Sequence, residues 1–351
     1  MIWLALLLSC TTRPDPAAEP PPTRVCRTEP LKQSADPFTI LWGGDTLLGD
    51  AAKSDLATLG FEWPFAHIQP LLEGADASIF NAEGPVTTLT AKHIAKMPYH
   101  YNVDPLGAAA MAASGLTIAG MANNHAMDRG PAGLVDTKKN FKAVGIETFG
   151  AGLTMADALK PAIIETPHGR VGVVGFTKRY LVEMMASPTK SGVTGLTEKR
   201  ARRVAASARE AGVDHLAAFV HWGENYSEIE KGQRNMAGWL RDAGFDLVVG
   251  HGPHVPQVVD PTCGQPVAYS IGNLVFGTPG RFTEEFPGYG IILRTEVGAE
   301  GFQAIEANCI QTDNKRVKFQ PRPCEGEEAE RVLKGFLPGA VIEGNKARLE
   351  L

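Results

Sequence analysis

The sequence predicts an α/β fold built on parallel strands, and three observations carry this. Five short apolar runs rich in β-forming residues are separated by segments of helical length and composition. Several of those segments close on glycine, as helix C-termini prefer, at Gly74, Gly115, Gly145, Gly212 and Gly244. Each apolar run also stops abruptly in small residues and ligand-type side chains. Apolar strands alternating with helices belong to a parallel sheet covered on both faces. In such a sheet the ligand site lies beyond the C-terminal strand ends.

In chain order, Phe38–Trp42 ends in Gly43-Gly44-Asp45, and Ala77–Phe80 ends in Asn81-Ala82-Glu83-Gly84. Leu116–Met121 ends in Ala122-Asn123-Asn124-His125. His215–Val220 ends in His221-Trp222-Gly223-Glu224, and Phe245–Val249 ends in Gly250-His251-Gly252-Pro253-His254. The helices between them are expected over 65–73, 104–113, 133–144, 198–211 and 233–243. A further apolar run, Val171–Phe176, leads into Lys178 and Arg179. Later, 290–297, 302–311 and 316–320 alternate between Gly and Asp-Asn turns, which predicts antiparallel strands closing a second sheet. A last helix is expected over 327–336. The main domain is therefore placed at 38–320, followed by a C-terminal helix and tail at 321–351.

Composition bounds the function. A chain of 351 residues suits one large domain with appendages. Hydrophobic content of 44% with 21% charge excludes a disordered chain and a multi-span membrane protein. A net charge of −5 argues against a nucleic-acid partner. The 38 glycines exceed the usual share of about 7%, as tight strand exits require.

The N-terminus reads as a targeting signal. Residues 1–9 are almost wholly apolar and end at Cys10, too short a run to span a bilayer. Leu7-Leu8-Ser9-Cys10 resembles a bacterial lipobox, which makes Cys10 the expected lipidation site. Up to residue 37 the chain is rich in proline and charge, and is expected to be an extended tether. The expected location is outside the cytoplasm, held to the cell envelope by the lipid. Cys26, Cys263, Cys309 and Cys324 show no metal-ligand spacing, and their pairing does not follow from sequence.

The polar clusters carry the chemistry. Four of the nine histidines sit at three of the five strand ends. Asp45, Glu83, Asn124, His221, His251 and His254 are oxygen and nitrogen donors without a thiolate, a set suited to Mn, Zn or Fe. One or two divalent ions are expected, the usual apparatus of two-metal hydrolysis. His125 is expected outside the ligand set as general acid, oriented by Asp128. Lys178, Glu224 and Asn273 are candidates for substrate binding, and Lys178 could pair with the carboxylates of a polyanion.

Six motifs carry a family resemblance: GGDTLLG (43–49), FNAEGPVT (80–87), ANNHAMDRG (122–130), HWGENY (221–226), GHGPHVPQ (250–257) and AYSIGNLVF (268–276). Together they resemble the CapA family of poly-γ-glutamate capsule-synthesis proteins, within the calcineurin-like metallophosphoesterase superfamily. The resemblance covers about 38–294 and implies a four-layer α/β/β/α sandwich with a metal centre at the strand ends. It also implies Asp45 as the first metal-binding Asp, Glu83 as the bridging acid, Asn124 as a ligand and His125 as the catalytic His. His221 and the pair His251 and His254 complete the implied ligands. Leu47 stands where the wider superfamily's Asp-x-His has its imidazole, and Asn81-Ala82-Glu83 replaces its Gly-Asp.

Two functions follow as expectations. One is a metal-dependent hydrolase, cleaving a phosphoester or an amide, that acts on or with an anionic envelope polymer such as poly-γ-glutamate or on a small molecule. The other is a non-catalytic scaffold of a membrane complex that synthesises capsule polymer, with a vestigial metal site.

Overall fold

The computed structural model describes residues 31–94, 97–179 and 181–351. The expected signal at 1–9, lipidation at Cys10 and the tether as far as residue 30 lie outside the described residues. The last part of that tether already lies on the domain. Leu31 is buried, its N–H donates to the Leu351 carbonyl, and Ser34 N–H donates to the Gln303 side chain.

The parallel strands divide between two sheets. In the first, β1 (Phe38–Leu47), β2 (Ala77–Ala82), β3 (Ile118–Gly120) and β4 (Glu147–Phe149) run parallel in that order. In the second, β5 (Ala162–Thr166) lies antiparallel to β6 (Gly169–Thr177), followed by the parallel strands β7 (His215–His221) and β8 (Leu247–His251). Beyond β8 come β9 (Pro256–Asp260) and β10 (Val267–Ile271), with β10 beside β8 and β9 on the edge. The strand β11 (Asn273–Phe276) returns to the first sheet and pairs parallel with the end of β1.

The late antiparallel strands extend the first sheet, not the second. Here β12 (Tyr289–Gly298) pairs with β1 on the side away from β2, and β13 (Gly301–Gln311) pairs with β12. The stretch 316–320 is not a strand. Asp313 caps a helical turn at Asn314–Val317, and the buried Asn314 side chain donates to the carbonyls of Phe276 and Thr278. Those bonds hold the chain in a local turn, so its alternating pattern never meets a sheet edge. The expected C-terminal tail is also ordered. After its helix, β14 (Val341–Glu343) and β15 (Lys346–Glu350) form a hairpin, and β15 pairs with β13 through the buried Ala347.

Helices cover both outer faces. On the first sheet lie α1 (Lys53–Leu59), α2 (Pro105–Ala113) and α3 (Gly130–Ala143). On the second lie α4 (Glu198–Glu210) and α5 (Lys231–Ala243). The helix α6 (Gly326–Phe336) closes one end of the inter-sheet core, which contains Ala329, Leu333 and Phe336. The helix expected over 65–73 is reduced to a 3-10 turn at Trp63–Phe65 and one α-turn at Gln69–Leu72. Pro64 and Pro70 explain this, since each is tolerated only in a first turn.

The layers are therefore α/β/β/α. Between the sheets, Trp42 and Ile79 of the first meet Val173, Phe219 and Val249 of the second. The Trp42 indole satisfies its N–H within this core by donating to Thr295 Oγ1 at 2.9 Å. The sheets thus bring the C-terminal ends of β1, β2 and β3 against those of β7 and β8. Cys309 and Cys324 form a disulfide across a 15-residue separation. No helix among the described residues is long and apolar enough to cross a membrane.

Candidate metal centre

The centre is built on a break in β1. Its pairing with β2 slips between Gly43 and Asp45, and its pairing with β11 slips at Asp45/Thr46. Such a bulge re-aims one side chain. The tight packing needs glycine at position 44, where a Cβ would lie 1.9 Å from the Gly272 carbonyl oxygen. The result is a fully buried Asp45 aimed between the sheets.

Donors from the second sheet meet it. In direct register, His221 ends β7 and His251 ends β8, and their Nδ1 atoms lie 3.1 Å apart. His254 follows on the loop after β8, with φ of 64°. Asp45 Oδ1 lies 3.0 Å from His251 Nδ1 and 3.8 Å from His221 Nδ1, while Oδ2 lies 3.1 Å from His254 Nδ1. Asp45 also accepts from Asn81 Nδ2 at 2.9 Å and from the Gly252 N–H at 3.0 Å. Ligand-type atoms gather into two sets, Asp45-His221-His251 and Asp45-Glu83-His254, each within 4.8 Å. Asp45 is the carboxylate common to both, whereas the resemblance gave the bridge to Glu83. Asp45, Glu83 and Asn124 come from the first sheet, and all three imidazoles come from the second.

The electrostatics are those of a site assembled for positive charge. Burial raises the Asp45 carboxyl, but hydrogen bonds and charge from His251 and His254 outweigh it and hold Asp45 well below the usual range. Glu83 is driven well above the usual range by burial and then by the Asp45 charge. His221 is pushed well below its ordinary value by burial and by His251. Burial lowers His254, yet the bond to Asp45 and the charge of Glu83 bring it up to about 9.

These residues fit a divalent ion. Two carboxylates and three imidazoles converge with no thiolate, a borderline-hard donor set. Asn124 adds a buried Oδ1 with no hydrogen-bond partner, an acceptor left open as is Asp128 Oδ1 in the same loop. Its neighbour Asn123 is satisfied, donating to Asn81 Oδ1 and the Ala82 carbonyl and accepting from the His125 N–H.

Beside the centre, His125 Nδ1 lies 2.8 Å from Asp128 Oδ2. The same oxygen accepts from the Tyr101 N–H, and the Tyr101 ring lies 4.2 Å from the His125 ring. The three candidate substrate residues separate. Lys178 is exposed and Glu224 sits at a rim, ion-paired at 3.6 Å with Arg179. Asn273 is buried and bonds His254 Nδ1 at 2.9 Å, so it orients that ring. Sequence reasoning missed Asn81 and Asn123, which resemble ordinary strand-end caps, and the Tyr101 ring on His125. Their signal lay in the motifs themselves, since Asn81 and Asn123 stand beside recognised donors.

The profile of the bacterial capsule synthesis protein PGA_cap family matches residues 39–278. The chain belongs to this family. It is similar to the capsule biosynthesis protein CapA of Bacillus anthracis, with 30% identity over 265 residues covering 72% of this chain. It is also similar to the PGA biosynthesis protein CapA of Bacillus subtilis (strain 168), with 28% identity over 245 residues covering 69% of this chain. The chain spans 64% of the length of each of these relatives. Among solved structures it is similar to the sulfate thiohydrolase SoxB of Thermus thermophilus, with TM-score 0.46 and 13% identity, covering 87% of this chain and 61% of that one. In the PGA_cap chain described here, the matched span holds every donor named above.

Proposed function

We propose that this PGA_cap protein is a metal-dependent hydrolase of capsule formation, acting on or with an anionic envelope polymer of the poly-γ-glutamate kind. The observation that carries this is the convergence of Asp45, Glu83, His221, His251 and His254 beside the His125–Asp128 pair. The names of the two Bacillus relatives support the capsule and polymer part of the reading.

Asp45, Glu83, Asn124, His221, His251 and His254 would hold the ion or ions. When bound, a divalent ion supplies Lewis-acid charge at the scissile group. The chain's own residues do the rest. Asp128 fixes a proton on His125 Nδ1, which leaves Nε2 as the exchanging nitrogen. Tyr101, its ring packed at a tilt of 39° against the imidazole and its N–H bonded to Asp128, restricts how that imidazole can turn. A proton held at His125 Nε2 is placed to go to the leaving group. Asn273 sets the tautomer of His254 from the opposite side.

The test is metal content followed by turnover. Purified protein is expected to carry a divalent ion that His251→Ala loses. It should hydrolyse a phosphoester or a γ-glutamyl polymer, with His125→Gln abolishing turnover while metal is retained. Protein that takes up no metal on reconstitution refutes the proposal. One observation favours a scaffold instead: buried Leu47 occupies the superfamily's imidazole position. Tight metal binding without turnover on either substrate class would select that reading.

The proposed location is the outer cell envelope, through lipid on Cys10. The Cys309–Cys324 disulfide suits an oxidising compartment. Cys10→Ser should release the protein from the membrane fraction, and unchanged fractionation would refute the anchor.

A further inference from the structure

A groove of about 420 Å³ opens beside the centre, lined by Asn124, Lys178, Arg179 and Glu224 among others. Asn124 lines this groove and also offers the centre its buried, unpartnered Oδ1, so the groove and the donor set share a wall. Arg179 stands on the turn after β6. Its backbone is locked there, because the Thr177 hydroxyl accepts from Arg179 N–H and lies 3.1 Å from its carbonyl oxygen. The guanidinium is locked as well. Nη1 donates to the Gly223 carbonyl at 2.8 Å and to Asn225 Oδ1. Its charge reaches the centre, acting on both Glu83 and His221.

The remaining edge of that guanidinium is underused. Among the described residues Nη2 faces Glu224 Oε2 at 3.6 Å, beyond hydrogen-bonding distance. The Glu224 side chain is 67% exposed and that of Arg179 only 25%. A fixed, three-quarters-buried cation thus faces a loose carboxylate that water already solvates. Such a pair contributes little to stability and is readily exchanged. Lys178 is the weaker candidate, since it is exposed and offers a point charge without a fork.

We infer that Arg179 is the anion-recognition residue of this site, and that Glu224 occupies the place of a substrate oxyanion until substrate displaces it. The ligand chemistry is a carboxylate or phosphate group, held by the outer edge of the guanidinium while the bond to be cleaved lies towards Asn124. This rests on the reading of the site as one for anionic substrates. It reverses the part expected for Glu224, which becomes a competitor of substrate and not a contact.

Titration calorimetry on the full chain tests it with two probes, a γ-linked glutamate oligomer and inorganic phosphate, with metal content measured on each preparation. Arg179→Met should weaken binding at least about tenfold, the loss of a charge-assisted hydrogen bond. Arg179→Lys should recover only part, for want of the fork. Glu224→Gln should tighten binding several-fold, a gain that a merely misfolded variant cannot give. Lys199→Met, an equal loss of charge on an exposed part of α4, should change nothing. Dependence on Arg179 for the oligomer alone identifies a carboxylate, and for phosphate alone a phosphoryl group. Either supports the assignment. Wild-type affinity for both probes in Arg179→Met, weaker binding in Glu224→Gln, or no binding of either probe by the wild type overturns it. Metal-loaded, active protein with Arg179-independent binding defeats this inference alone. Arg179-dependent binding by protein that takes up no metal defeats the hydrolase reading alone.

Discussion

Phe219 connects the inter-sheet core to the metal centre, and its removal should damage both by different amounts. Its ring is 1% exposed, 6.0 Å from the Trp42 ring, 6.2 Å from Phe149 and 4.3 Å from His251. It also fills the space over Gly120, where a Cβ would lie 2.8 Å from the ring. The surroundings are two packed sheets that cannot collapse independently, so Phe219→Ala leaves a cavity and costs about 3–5 kcal/mol. For a chain of this size the unfolding entropy is about 0.7 kcal/mol/K, which converts that loss to a fall in Tm of about 4–7 °C. Phe219→Leu keeps most of the volume and should cost under about 1.5 kcal/mol, roughly 2 °C. It nevertheless removes the aromatic ring packed at a tilt against His251. Loss of a group that supports a ligand weakens metal binding about 10–100-fold, so Phe219→Leu should separate the two effects. Calorimetry of the metal-free proteins gives the first and competitive chelation the second. A Tm within about 2 °C of wild type for Phe219→Ala, or wild-type metal affinity in Phe219→Leu, would refute this reasoning.

Three further outcomes follow from the same structure. Gly290→Ala should destabilise the fold and weaken metal binding together. Its Cβ would lie 1.9 Å from the Asn273 carbonyl oxygen, and Asn273 holds His254; a variant with unchanged Tm and metal affinity contradicts this. Cys309→Ser with Cys324→Ser should lower stability by about 3 kcal/mol on loop-closure grounds, read as a drop of roughly 4 °C in Tm. Glu296 has its carboxyl held below the usual range by hydrogen bonds from Arg348, against the opposing effect of burial. A depressed folded value means stability that is full above about pH 4.3 and fades as pH falls through the folded value. Glu296→Gln should therefore lower Tm at pH 7 and converge on wild type as pH falls below the depressed folded value, whereas a pH-independent difference would show that the charge is irrelevant.

The parts of this fold that sequence reveals are those written locally. The runs ending at Asp45, Glu83, Asn124, His221 and His251 are apolar because both faces are covered, so strand, end and donor are read together. What it does not reveal is pairing. Nothing in Tyr289–Gly298 states that it lies beside β1, since alternation marks a half-covered strand without naming its neighbour. Gly43 and Gly44 look like a strand exit, yet β1 continues to Leu47. Those glycines serve close approach to β11 and the preceding turn, a contact made by residues more than two hundred positions away. The amides of Asn81 and Asn123 complete a network across neighbouring strands, so beyond their place beside the donors in the motifs nothing local marks them.

The division of the donors between sheets has a consequence for how the centre comes into being. The first sheet contributes only oxygens and the second only imidazoles, and neither set alone offers both kinds. A divalent ion would therefore be captured tightly only after the two sheets have docked, and its binding free energy would be drawn into the docked state alone. Metal should slow separation of the two sheets far more than fraying within either one, so that a bound ion would be a clasp on the sandwich.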